Sequence, residues 1–165
     1  MKKCLAALFA AATLASCATY QPVPEGYAGP TANVRDTGGY VDGWTKGQAF
    51  SVTEVDGQTI MNSFWASDKA SKGQGFNLSL ELQERRLPIR PMKVTLRGSH
   101  ITGAPIHAMA AKAAGTYFSV EGVVSFMPQA DMQYLVKGEL QRGESAVWIE
   151  ERDTGKVVTE KVVER

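Results

Sequence analysis

The chain has 165 residues, with 18 Lys+Arg against 17 Asp+Glu, 44% hydrophobic and 21% charged side chains, the composition of one globular domain. A balance this close to neutral, without a basic run, excludes the concentrated Lys/Arg surface that nucleic-acid binding needs. Its 16 Gly and 7 Pro are scattered among many Val and Thr, which favours turns between short strands over long helices.

Residues 1–16 read as a signal peptide: Lys2 and Lys3 open it, and 5–13 is an uncharged, Ala- and Leu-rich stretch. That stretch is too short for the about 20 residues a membrane-spanning helix needs. Leu14-Ala15-Ser16-Cys17 follows directly and resembles the lipobox of bacterial lipoproteins: an apolar residue, two small ones, then the cysteine that takes the lipid. The resemblance implies cleavage between Ser16 and Cys17, a diacylglyceryl group on the Cys17 thiol and acylation of the new amino group. Such an anchor would be effectively permanent. The plainer alternative is an ordinary thiol after a signal peptide cut at Ala15 or Ser16. Ala18 stands where an Asp would resemble an inner-membrane retention signal, so the expected location is the outer membrane of the cell envelope, with the domain facing the periplasm. Cys4 would be removed and Cys17 capped, leaving no thiol for a disulfide or a metal. From 17 to 30, Pro22, Pro24 and Pro30 alternate with Gly and polar residues without periodicity, and the stretch reads as a tether ahead of a folded domain over 31–165.

In that domain the period-2 signal begins near residue 48, with Phe50 and Val52 against Ser51 and Thr53. Asp56-Gly57 predicts a type I′ hairpin turn, returning along 58–65, and 67–75 reads as a loop. Phe76, Leu78, Leu80 and Leu82 alternate with polar residues and predict a half-buried strand. Pro88 and Pro91 make 85–91 a connection or an edge. Met92, Val94 and Leu96 restart the alternation, ended by Gly98. The Ala-rich run over 104–115 predicts a short helix with Gly115 beyond its end. Phe118, Val120, Val124 and Phe126 share one parity, with Gly122 marking a bulge or a close backbone approach. Met132, Tyr134, Val136 and Leu140 form another strand, and Val147 with Ile149 pairs through the Asp153-Thr154-Gly155 turn with 157–163. The sum is an all-β, antiparallel sandwich of about seven or eight strands with at most one short helix near 105–114.

The run over 126–136, Phe-Met-Pro-Gln-Ala-Asp-Met-Gln-Tyr-Leu-Val, resembles the proline-turn-tyrosine element of fibronectin type III and related immunoglobulin-like domains. That resemblance implies a buried Tyr134 bonded to backbone at a corner between sheets. Over a wider span, Tyr27-Ala28-Gly29-Pro30-Thr31-Ala32, Val55-Asp56-Gly57 and Val147-Trp148-Ile149-Glu150 resemble small bacterial envelope lipoproteins of uncharacterised function.

Chemistry is sparse. His100 and His107 have no Cys, Asp or Glu at ligand spacing, so no metal is expected. No G-x-S-x-G elbow raises one serine above the rest. Gly73-Gln74-Gly75 opens onto the 76–82 run rather than a helix, unlike a phosphate loop. Asp36, Asp42 and Asp56 do not have calcium-loop spacing. Glu150 and Glu151, being neighbours on a strand, face opposite sides and cannot share a proton. Tyr40, Trp44 and Trp148 are the candidate ligand platform, since binders of sugars and peptides use flat exposed aromatics. The expected function is a lipid-anchored, non-enzymatic binding or assembly module without a cofactor, whose partners are the membrane through Cys17 and an envelope protein or glycan. The alternatives are a small-molecule or glycan binder using the aromatics, and an inhibitor of a periplasmic hydrolase.

Overall fold

Two of the alternating runs become the two longest strands, which pair with each other. In the computed structural model, which describes residues 19–164, β3 (Lys46–Val55) and β6 (Met92–Thr102) are antiparallel, with Val52 opposite Leu96 and Val55 opposite Val94. The Asp56-Gly57 turn has both residues at positive φ, 50° and 75°, as type I′ requires, and returns into β4 (Gln58–Thr59). The other strands are β1 (Thr31–Arg35), β2 (Thr37–Asp42), β5 (Glu84–Pro88), β7 (Ser119–Phe126), β8 (Gln133–Glu139), β9 (Ala146–Glu151) and β10 (Val162–Val163). One sheet has the order β10-β9-β8-β1-β5 and the other β2-β3-β6-β7, with β4 beside β3.

The two sheets enclose one core, formed by Val34, Leu87, Val136 and Ile149 from the first and Phe50, Val52, Val94 and Leu96 from the second. The fold is therefore mostly β and sandwich-like. Phe50 bridges the layers: a Cβ on Gly98 would lie 2.8 Å from the Phe50 ring, and a Cβ on Gly138 of β8 would collide with the same ring. Gly98 thus does not end β6 as its position suggested. It leaves the space that the Phe50 ring fills between the sheets, and the strand continues to Thr102. Gly122 likewise marks close approach rather than a bulge, with Val162 filling the place of its side chain and the β6/β7 register unbroken.

Four expectations change. The sandwich is not wholly antiparallel, because β1 lies parallel to β8 and antiparallel to β5. An N-terminal strand inserted between two others need not follow the hairpin rule that sets the rest. Among the described residues ten strands replace seven or eight: β1 and β2 lie ahead of the first alternation read, β5 fills the stretch expected as a connection or an edge, and the 76–82 run drops out. Among the described residues two helices replace one: α2 (Pro105–Ala113) forms as expected, with Gly115 at φ 63°, but α1 (Ser63–Ser71) occupies the stretch read as return strand and loop. Asn62 caps α1 by accepting from the Trp65 N–H at 3.1 Å.

The fourth is the 76–82 run, which joins no ladder. On one side its hydrogen bonds go to α1, whose buried residues are Ser63, Ser67 and Ser71. The N–H groups of Ser79, Glu81 and Gln83 donate to the hydroxyls of Ser71, Ser67 and Ser63 at 3.0, 2.9 and 2.9 Å. Four helical residues rise about 6 Å and two strand residues about 6.6 Å, so every fourth serine meets every second amide. Leu78 is buried under this cover, Leu80 and Leu82 are half-buried and Phe76 is exposed.

Tyr134 is buried, its hydroxyl accepts from the Gln129 N–H at 3.0 Å, and its ring meets Phe126 edge-on at 5.2 Å. Within 17–30, Pro22 is buried, Tyr20 packs against the core, and the Tyr20 N–H donates to the Thr59 carbonyl at 3.3 Å. Ser16 and Cys17 lie outside the described residues.

Candidate functional site

The β2/β3 hairpin ends in a tight turn in which Gly43 adopts φ 49°, and this lifts Trp44 out of the sheet. Trp44 is 70% exposed and Tyr40 44%, and their rings meet edge to face at 5.1 Å and 67°. The Tyr40 hydroxyl donates to the Leu78 carbonyl at 3.1 Å and accepts from the Leu80 N–H at 3.3 Å. The Trp44 carbonyl accepts from the Leu78 N–H at 2.6 Å, so the turn is tied on both sides to the segment beneath α1. Both aromatics therefore sit on a fixed support. Further along that segment, Phe76 stacks its exposed ring on His107 of α2 at 5.2 Å.

Trp148 does not join them. It is 8% exposed, Lys161 Nζ covers its face at 4.1 Å from the ring centre, and its indole N–H donates to Glu150 at 3.0 Å. Nor do the histidines meet. His100 is buried on β6 against Tyr117 and Phe118, where its Nδ1 accepts from the Phe118 N–H at 3.0 Å. Burial, and then the Lys46 ammonium, push its pKa down from 6.5 to about 4, so the imidazole is neutral at neutral pH. Asp56 sits in its turn bonded to the Lys93 N–H at 2.9 Å and to Arg90 at 2.6 Å, which hold its carboxyl below the usual range.

The densest polar cluster surrounds Asp36, the single residue between β1 and β2, where the chain crosses from one sheet to the other. Its buried carboxylate accepts from both terminal guanidinium nitrogens of Arg85 at 2.6 Å, from Ser51 Oγ at 2.5 Å, from Ser63 Oγ at 2.7 Å and from the Val52 N–H at 3.3 Å. One carboxylate thereby ties β5, β3 and α1 to the corner. All its acceptor positions are used and the residue is fully buried, so it can hold the corner but cannot reach a substrate. Sequence reading passed over it, because an isolated Asp before Thr-Gly-Gly looks like a turn; Arg85, too, looked like part of a polar connection. Among the described residues, no three His, Cys, Asp or Glu side chains gather as a metal site would require.

Comparison of the chain with protein-family models, with curated proteins and with solved structures finds no match. What the surface can do has to be read from its own chemistry, and the supported aromatic pair at Trp44 is the feature best suited to contact a flat ligand.

Proposed function

We propose that the protein is a lipid-anchored, non-enzymatic binding module of the bacterial cell envelope, held in the outer membrane through Cys17 with its domain on the periplasmic side. Recognition is assigned to the Tyr40–Trp44 edge. The observation that carries this reading is the exposed Trp44 ring fixed on a Tyr40 whose hydroxyl is bonded twice to backbone. An aromatic held in place loses little conformational freedom when a ligand covers it. The flat face suits a sugar ring, which makes an envelope glycan the favoured ligand class over an inhibited hydrolase.

Polarity within the domain supports the same reading. Tyr20, three residues after Cys17, is bonded at Thr59 beside the Val55 end of β3, whereas Trp44 precedes the Lys46 end. A ten-residue strand spans about 30 Å, so an anchor at Cys17 turns the aromatic edge away from the bilayer. The finer reading of the sandwich as immunoglobulin-like rests on the 126–136 run and on the buried, backbone-bonded Tyr134.

A photo-reactive residue in place of exposed Val41, in intact cells, is expected to capture one defined envelope component, and adding Trp44→Ala should abolish capture without shifting the melting temperature. Capture that ignores Trp44→Ala rejects the aromatic edge. Cys17→Ser should release the protein from the membrane fraction or leave it uncleaved; normal processing with full retention rejects the anchor.

A further inference from the structure

The stretch ahead of β1 is fastened to the sandwich close to Cys17. The Tyr20 N–H donates to the Thr59 carbonyl at 3.3 Å, the Tyr20 side chain packs against the core, Pro22 is buried and Val23 half-buried. The Arg90 guanidinium, bonded to Asp56 at 2.6 Å, also faces the Tyr20 hydroxyl. Only three Cα steps separate Tyr20 from Cys17, a reach of at most about 11 Å however the link is arranged. The headgroup layer of one leaflet is about 5–8 Å thick, so acyl chains on Cys17 would bring Tyr20 to the level of the headgroups or just above them.

Tyr20 marks one end of the sandwich. At that end lie the Asp56-Gly57 turn, the link from β5 to β6 through Arg90 and Pro91, and the loop over 127–132 from β7 to β8. Antiparallel pairing brings them together, since β3 leaves at Val55 opposite Val94 and β7 leaves at Phe126 opposite Met92. Met127 is 64% exposed there and, with Asp56, Pro91 and Phe126, lines a hollow of about 660 Å³. A flexible, polarisable methionine adapts to an irregular partner such as a headgroup layer. Charge does not oppose the contact: Asp56 is paired with Arg90 and Asp153 with Arg152, which leaves Asp131 and Lys93 to offset each other.

We propose that this end of the sandwich rests on the bilayer, with Met127 set into the headgroup layer and 20–30 serving as a strap built into the domain. The proposal rests on the Cys17 anchor. Chain length picks the occupant: so short a link keeps the surface around Tyr20 within reach of the lipid that holds Cys17. A contact made at such a high effective concentration needs little affinity of its own. The Lys46 end of β3 then stands about 30 Å from the headgroups, which points the Tyr40–Trp44 edge into the space beyond the membrane. A free tether over 17–30 would leave that edge at any angle.

The test uses the mature protein, taken from membranes and reconstituted into phosphatidylcholine vesicles that carry a nitroxide on the headgroup. Processing removes Cys4 and a lipidated Cys17 takes no thiol reagent, so Gln129→Cys and Val41→Cys, both at exposed positions, each offer one thiol to a fluorophore. The label at 129 should lose its fluorescence to the short-range headgroup quencher, and the label at 41 should keep it. Adding Met127→Asp should restore fluorescence at 129 without shifting the melting temperature. Should Gln129→Cys fail to fold, Ala130→Cys is read in its place. Equal quenching at 129 and 41, quenching at 41 alone, or none at either removes the surface, and quenching at 129 that ignores Met127→Asp overturns the Met127 contact. Wild-type protein that takes the label at Cys17, or that does not float with the vesicles, rejects the anchor and the surface with it; protein that floats while the label at 129 stays bright rejects the surface alone.

Discussion

Two parts of the interior are equally buried and built on opposite principles. Around Phe50 the sheets meet by shape: an aromatic ring fills a slot left by Gly98 and Gly138, and there is no polar atom to satisfy. Around Asp36 they meet by hydrogen bonds: one carboxylate accepts from a guanidinium and two serine hydroxyls, and α1 is fastened by hydroxyls instead of an apolar stripe. The difference teaches that the slot is sensitive to an added methyl, whereas the corner tolerates loss of neither partner. Breaking a buried pair leaves a charge that no packing can compensate.

The largest effect is therefore expected from Asp36→Ala, which leaves the Arg85 guanidinium buried and unpaired at a cost of about 3–5 kcal/mol. Denaturant unfolding should show it as a lower midpoint. Joint replacement, Asp36→Leu with Arg85→Met, should recover most of the loss. If the double variant is as unstable as the single one, the corner is not an ion pair in the energetic sense.

His100 sharpens the comparison, because it is a buried titratable group without a counter-charge. Its folded pKa of about 4 lies below the ordinary 6.5, so the unfolded chain binds the proton more readily. Stability from this group is complete above pH 6.5 and is lost as pH falls toward 4, by up to about 3 kcal/mol. His100→Asn should flatten the stability profile between those pH values, and a wild-type profile without slope there would place the ring in water.

Gly138→Ala comes next. The added methyl has the Phe50 ring on one side and the Ala146 carbonyl on the other, and overpacking of this kind costs about 1–3 kcal/mol. Phe50→Leu in the same chain should relieve part of it, and an additive double-mutant cycle would mean the ring is not what the methyl meets. The smallest effect belongs to Ser67→Ala, which strands the Glu81 N–H near the surface for about 1 kcal/mol. Exchange at the Glu81 amide should accelerate while that at Val52 stays unchanged. A uniform change across the domain would instead mean that α1 and the sandwich unfold together.

These two interiors were not equally legible. Val52, Val94 and Leu96 announce a buried face by alternation, and Asp56-Gly57 announces its turn by chemistry. Helix α1 hides because its buried residues are serines at every fourth position, which no hydrophobic period detects. The 76–82 run misleads for the complementary reason: its alternation is real, but its neighbour is that polar helix and not another strand. At the candidate site, the aromatic identity of Tyr40 and Trp44 was visible and their exposure was not, since Trp148 carries the same chemistry and lies covered by Lys161.

What the sequence determined by itself is what rests on near neighbours: the alternation of β3, β6 and β7, the turn at Asp56-Gly57, and the α2 helix with Gly115 past its end. Tertiary structure alone decided what depends on residues distant in the chain. It set β1 parallel to β8, placed Gly98 and Gly138 on either side of one ring, and gathered Asp36, Ser51, Ser63 and Arg85 at the corner where the chain changes sheets. Local propensities are short-ranged, while burial and the satisfaction of buried polar groups are properties of the assembled interior.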